Sequence, residues 1–311
     1  MNPAFSVVIF TAVAGAAQGL VVALALARLG VVPLGTGFAP AVLLLAAALL
    51  LIGLGASFLH LGRPERAWRA AAMWRTSWLS REVIVLPAFI GLVALWWIAL
   101  RWQAGETWTR VLFPLAALVV AATLWYCTAM IYACLRFIEE WAHPMTLVNF
   151  VLIGLASGFV LASALAATSG EAAFLRLIGP AALALTLAAW AARMAALRRN
   201  AAIRHKSTLQ SATGIPQTPL VQKSMGMSAG SFNTREFFHH ASVAALKRVR
   251  LMLVVLGFAL PALCAVAGLA TDAAWPWVLA VIAQAPGLIA DRWYFFAQAK
   301  HPQNLYYQVV S

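Results

Sequence analysis

The run FAPAVLLLAAALLLIGLGASFL, residues 38–59, decides the fold: 22 residues pass without one charged side chain. A helix rises about 1.5 Å per residue, so a run of this length reaches across a hydrocarbon layer roughly 30 Å thick. Directly after it comes HLGRPERAWRAAAMWRTSWLSRE, residues 60–82, with one histidine, two glutamates and five arginines. Then a second apolar run begins at 83. Greasy spans separated by short, strongly ionisable connections are the pattern of a helical membrane protein.

Working outward, eight such runs appear, at about 6–28, 38–59, 83–100, 111–135, 145–168, 173–197, 251–270 and 274–297. Of the 311 residues 63% are hydrophobic and 10% charged, with mean hydropathy +0.86, far from a soluble domain. Transmembrane barrel strands would be shorter and would alternate strictly. The sequence therefore predicts an all-α integral membrane protein of eight transmembrane helices, a single domain over 1–311. The first run has no basic residue ahead of it and exceeds twenty residues, so it reads as an uncleaved helix rather than a secretory signal.

The net charge of +13 reports topology. With eight alternating spans, 18 of the 22 Lys and Arg fall on the face that carries both termini and the 2–3, 4–5 and 6–7 connections. Only Arg28, Arg101, Arg110 and Arg176 lie opposite. The positive-inside rule then makes both termini cytoplasmic, and a bacterial inner (cytoplasmic) membrane is the expected location. Basic residues sitting at span ends, not on a soluble module, give no reason to expect nucleic acid. The longest connection, about 198–250, carries its own aromatic residues and reads as a cytoplasmic docking loop; a basic loop attracted to anionic membrane lipid is its plainer reading.

Cys127, Cys134 and Cys264 all fall inside predicted helices, and no CxxC cluster occurs. The chain is not expected to hold an iron–sulfur cluster, and no metal site is expected. All six histidines lie at helix ends or in connections, where they cannot supply facing axial ligands within the bundle, so no haem is expected. The acids likewise avoid the middle of every span. Transporters mark their paths with costly ionisable residues near the bilayer centre, and only Gln18 and Tyr126 offer weaker polar contacts here. Two GxxxG patterns, Gly15 to Gly19 and Gly154 to Gly158, read as close helix packing.

Chemistry gathers instead at the basic face. His60 ends the second span, and Arg81 and Glu82 open the third, so a hairpin sets His60 and Glu82 at one membrane depth. An imidazole and a carboxylate at the edge of an apolar space can exchange protons with a quinone, whose two-electron chemistry needs two. Against this, arginines at helix ends commonly anchor topology, and Trp68, Trp74 and Trp78 fit an interfacial aromatic belt.

At these residues the chain resembles a known family. The phrases LHLGRPERAWRA, TSWLSRE, MIYACLRFIEEW, GSFNTREFFH and DRWYFFAQAKHPQNLYYQ are similar to those of the DmsC family, the membrane anchor subunits of dimethyl-sulfoxide-reductase-type complexes. The resemblance implies an eight-helix anchor without haem that binds a quinone, ubiquinone or menaquinone. It implies as partners a ferredoxin-like iron–sulfur subunit with four clusters and, beyond it, a molybdopterin catalytic subunit. It also implies quinone-site roles for the histidine ending the second helix and the glutamate opening the third, which His60 and Glu82 match. Arg63, Arg81, Trp78, Arg136 and Asp291 are further candidates for lining the site or setting its electrostatics. The wording of HLGRP and SWLSRE is closer to anchors of cytoplasm-facing complexes, sulfite-oxidising ones among them. Sulfite oxidation with quinone reduction is therefore the expected setting. A quinol-oxidising anchor of an S-oxide or N-oxide reductase, an anchor that passes no electrons, and a small-solute transporter are the alternatives.

Overall fold

A computed structural model describes residues 1–59, 63–221 and 238–306. Among the described residues every regular element is helical, and seven helices are long and apolar enough to cross a membrane. The expected all-α membrane architecture is thus present. In order the elements are α1 (Phe5–Leu29), α2 (Phe38–Phe58), a 3-10 helix (Pro64–Met73), α3 (Trp78–Arg101), α4 (Phe113–Ala133), α5 (Met145–Ser169) and α6 (Ala172–Ala201). They continue with the short α7 (Leu209–Thr213), α8 (Val243–Val254), α9 (Leu260–Thr271), α10 (Trp275–Ala297) and a terminal 3-10 turn (Pro302–Tyr306).

Two of the seven spans are compound. A π-helical turn, Trp108–Leu112, leads into α4, and another, Val255–Ala259, joins α8 to α9. Each stands just ahead of a proline, Pro114 or Pro261. Proline has no N–H to give and its ring crowds the carbonyl four residues earlier, so a locally widened turn lets the helix continue.

The helices α1 and α5 form the centre, with 78% and 67% of their most apolar stretch buried against 22% for α3. Small residues make this possible. A Cβ added at Gly19 would lie 3.0 Å from the Gly154 carbonyl carbon and from Gly158 Cα, and closer still to the Gly154 oxygen. Both GxxxG patterns thus meet each other, backbone against backbone. A second such crossing sets Gly257 against Gly287.

The connections gather at two ends. At one, the Gly35 amide donates to Glu171 Oε1 at 2.9 Å, joining the α1–α2 and α5–α6 turns. At the other, the Met1 amine donates to the Ala299 carbonyl at 3.1 Å and Arg199 Nη1 to the Glu139 carbonyl at 2.8 Å. The second end carries the candidate chemistry.

Several boundaries differ from the sequence reading. The third span begins at Trp78, not 83, because the Ser77 hydroxyl caps it by accepting from the Ser80 amide at 3.3 Å. The helix leading into the seventh begins at Val243, not 251, capped by Ser242 accepting from the Ala245 amide at 3.2 Å. With α6 running to Ala201, the long connection narrows to 202–242, of which 222–237 lie outside the described residues. The eighth expected run, 274–297, forms the helix α10, but it is not among the seven helices apolar enough to cross a membrane. It carries Gln284, Asp291 and Arg292, all buried against neighbouring helices rather than turned to lipid.

Candidate functional site

Glu82 sits in the second turn of α3 with only 6% of its surface exposed. The Ser77 cap starts the helix early enough to place it inside the bundle rather than at a frayed end. Its Oε1 accepts a hydrogen bond from Thr128 Oγ1 on α4.

Beside it opens a cavity of about 550 Å³. Four helices wall it: Val7 and Phe10 come from α1, Leu54 and Phe58 from α2, Leu79, Glu82, Val83, Leu86 and Pro87 from α3, and Ile131 and Tyr132 from α4. The 3-10 helix covers it with Glu65, Ala67, Trp68 and Ala70. Its lining is chiefly apolar, and Glu65 and Glu82 are its carboxylates. Pro87 has no N–H for the Val83 carbonyl one turn earlier, and both residues stand on the wall. The volume lies in the range of small-ligand pockets, and apolar walls with a few placed polar groups suit a flat, weakly polar ring. The residues present therefore fit a quinone head group.

The remaining candidates are placed as follows. His60 lies outside the described residues. Arg63 is exposed at the start of the 3-10 helix. Arg81 turns from the cavity and donates from Nε to the Trp74 carbonyl and from Nη2 to the Arg75 carbonyl, both at 2.9 Å. Its guanidinium lies 4.0 Å from the Trp78 ring, and Trp78 in turn packs edge-on against Tyr126 at 5.2 Å. The pair stiffens the start of α3 behind Glu82. Arg136 is exposed just past α4.

Asp291 stands apart from the Glu82 cavity. Its Oδ1 lies 2.5 Å from Arg193 Nε and its Oδ2 3.9 Å from Arg292 Nε, and all three residues are almost wholly buried. Close by, buried Glu140 faces His205 at 3.5 Å. By sequence Arg193 reads as a topology anchor, and its buried partner is not legible from spacing. Thr128 and Tyr132 are likewise absent from the sequence-derived candidates. The phrase MIYACLRFIEEW contains Tyr132, and the four-residue spacing of the two puts them on one face of α4.

A larger cavity of about 860 Å³ opens at the same end between the N-terminus, the segment before α8 and the tail after α10. His205, His239, His240, His301 and Lys300 line it. Burial lowers the pKa of His239 and His301, and for both the nearby N-terminal charge lowers it further. Burial takes the Met1 amine down to about 6, partly opposed by Glu140. His143, in the α4–α5 connection, is lowered by burial and then by Arg199. Among the described residues no cluster of three His, Cys, Asp or Glu has metal-site geometry, and Cys127, Cys134 and Cys264 are free thiols.

A bundle of apolar helices with its ionisable residues drawn to one end, over a cavity between the first four helices, has the form of a membrane anchor protein. The chain belongs to the DMSO reductase anchor subunit (DmsC) family, whose model matches residues 1–295. It is 46% identical, across the full length of both chains, to a sulfite dehydrogenase subunit of Allochromatium vinosum. It is also 31% identical over 123 residues, 37% of this chain and 41% of the other, to the anaerobic dimethyl sulfoxide reductase chain YnfH of Escherichia coli. It is thus the anchor subunit of an oxidoreductase complex.

Proposed function

We propose that this anchor is quinone-reactive. It would pass electrons between the membrane quinone pool and a ferredoxin-like subunit with four iron–sulfur clusters, which connects to a molybdopterin subunit that oxidises sulfite. The observation that carries this reading is a buried carboxyl, Glu82, on the wall of an apolar cavity at the end of the bundle where the connections gather. The sulfite setting is supported by full-length similarity to a protein of a sulfite dehydrogenase. In this reading α10 is the eighth span, both termini are cytoplasmic by the charge bias, and the membrane is the bacterial inner membrane. The connection over 202–242 is the docking loop.

Bound in the cavity, a quinone would supply two-electron redox chemistry. The chain's own residues supply the rest. Leu54, Phe58, Leu86 and Ile131 exclude water, and Glu82, oriented by Thr128, holds or releases a proton at its carboxyl oxygen. His60 is the proposed second proton-handling group. Arg63, Arg81 and Trp78 form the charged and aromatic surround of that pair, Arg136 extends the basic rim, and Asp291 acts from behind the wall. With the cavity at the proposed docking face, electrons have a short path to the partner's nearest cluster.

The test is Glu82→Gln, which keeps shape and removes the titratable oxygen. In an assembled complex, quinone turnover should fall by about 10²-fold or more, the usual scale for losing a positioned acid or base. His60→Ala should act in the same direction. Intact quinone turnover in both variants would refute the assignment.

A further inference from the structure

Tyr132 is a polar group of the cavity wall to which the quinone reading gives no task; of the others, Ser57 already donates from Oγ to the Leu54 carbonyl at 2.7 Å and Glu65 lies on the covering 3-10 helix. It lies one helical turn beyond Thr128, so the two side chains share a face of α4, and Thr128 is the residue that donates to Glu82. Its hydroxyl makes no hydrogen bond among the described residues, while the residue borders the cavity. Tyrosine hydroxyls buried in proteins generally find a partner. Here the space beside it is where that partner would sit.

The ring itself is held from every side. Phe150 stacks on it at 5.7 Å and 13°, and Trp141, Phe295 and Phe296 meet it edge-on at 5.3, 5.3 and 5.4 Å. Trp141 is fixed in turn by its Nε1 donating to the Phe295 carbonyl at 3.1 Å. Behind Phe150 stands Arg292, its guanidinium 4.1 Å from the ring centroid, paired with Asp291 and through it with Arg193. A rigid relay of contacts thus runs from the buried ion pair through an aromatic box to the cavity. Such a box fixes where a phenol points without using its oxygen.

We infer that Tyr132 is a second polar contact for the quinone head, its hydroxyl donating a hydrogen bond to a ring carbonyl oxygen while Glu82 handles the proton. The inference rests on the quinone reading. Tyr132 gives up no proton and takes no electron, so its loss weakens binding and leaves the chemical step nearly intact. The Arg193, Asp291 and Arg292 group is its positioning support.

The experiment uses the assembled complex carrying Tyr132→Phe, which keeps the aromatic box. Three quantities are read: endogenous quinone retained per complex, KM against kcat with decylubiquinone and menadione, and the tyrosine C–O band in infrared difference spectra on adding decylubiquinone. The expected result is about tenfold weaker binding and a tenfold higher KM, the factor one hydrogen bond is worth. The kcat should stay within about twofold, since no proton or electron passes through the phenol. The tyrosine band should shift in the wild type and be silent in the variant. Unchanged retention and KM would overturn the inference. So would a wild-type spectrum in which no tyrosine band responds to quinone, a readout that stands even if the variant fails to assemble. The parallel Glu82→Gln complex separates the two readings. If it loses turnover while Tyr132→Phe is silent, only the tyrosine role falls; if both variants behave as wild type, the quinone site falls and the tyrosine role with it.

Discussion

Replacing Gly19 by alanine adds a single methyl group where the structure has no room for it. The new Cβ would stand 3.0 Å from two backbone atoms of α5, Gly154 C and Gly158 Cα, and nearer to the Gly154 oxygen, where ordinary contact begins at 3.4 Å. The obstacle is main chain, so no side chain can swing aside, and α1 and α5 must separate along their crossing. Overpacking of this kind costs roughly 1–3 kcal/mol, and here the separation also strips contacts from the two most buried helices. For a chain of this size that corresponds to a fall of several degrees in melting temperature, at about 2–4 °C per kcal/mol. Gly15→Ala is the control on the same helix, one turn away. Its Cβ would meet Gly154 Cα at 3.7 Å, an ordinary contact, and it should melt with the wild type. A thiol-reactive fluorophore reads the transition in a Cys134→Ser background, which removes the exposed thiol, because Cys127 and Cys264 are free and buried until the bundle opens. Since α1 also brings Val7 and Phe10 to the cavity wall, Gly19→Ala should lose quinone turnover in step with stability. Equal melting of the two variants would refute the backbone-contact argument.

Asp291→Asn should destabilise by about 3–5 kcal/mol, because it leaves Arg193 and Arg292 buried without their carboxylate; the same thermal assay checks it, and a double variant with Arg193→Met should recover part of the loss. Acidification should loosen the large cavity at the same end. His239 and His301 have pKa values held below the ordinary histidine value of 6.5, so the unfolded chain binds more protons as pH drops through that value, and stability rises with pH across the window and is lost on the acid side. Hydrogen exchange over 238–246 and 298–305 should therefore speed up more at about pH 5.5 than at about pH 7.5, on either side of the histidine range, once corrected for intrinsic rates, while the α1 core stays protected.

The fold is legible in the sequence where the physics is one-dimensional. Length and apolarity alone locate α1, α2 and α5 to within a residue or two, because lipid demands an unbroken helix of a set length. The starts of α3 and α8 are not legible in that way. There Ser77 and Ser242 start the helices ahead of the unbroken apolar run, across charged residues that interrupt it, and a cap is a polar signal that hydropathy overlooks. α10 shows the opposite case. Its Gln284, Asp291 and Arg292 lower its hydropathy below that of the seven candidate spans, yet they are buried by partners that only the packed bundle supplies.

The site divides along the same line. Glu82 is legible as a carboxylate at the mouth of an apolar span, but its neighbours Thr128 and Tyr132 lie some fifty residues on, and nothing in the spacing ties them to it. Asp291 looks from the sequence like a comparable candidate, and the structure separates the two by what faces them. The Asp291 carboxylate is matched at 2.5 Å by a buried guanidinium, so its charge is committed to holding α6 and α10 together. Glu82 is also buried, but its partner among the described residues is a neutral hydroxyl, and the nearby guanidinium of Arg81 is occupied by two backbone carbonyls and the Trp78 ring. A carboxyl that meets only a hydroxyl and an apolar cavity still faces space for a ligand, and that difference is why the proton-handling role is proposed for Glu82 and the architectural one for Asp291.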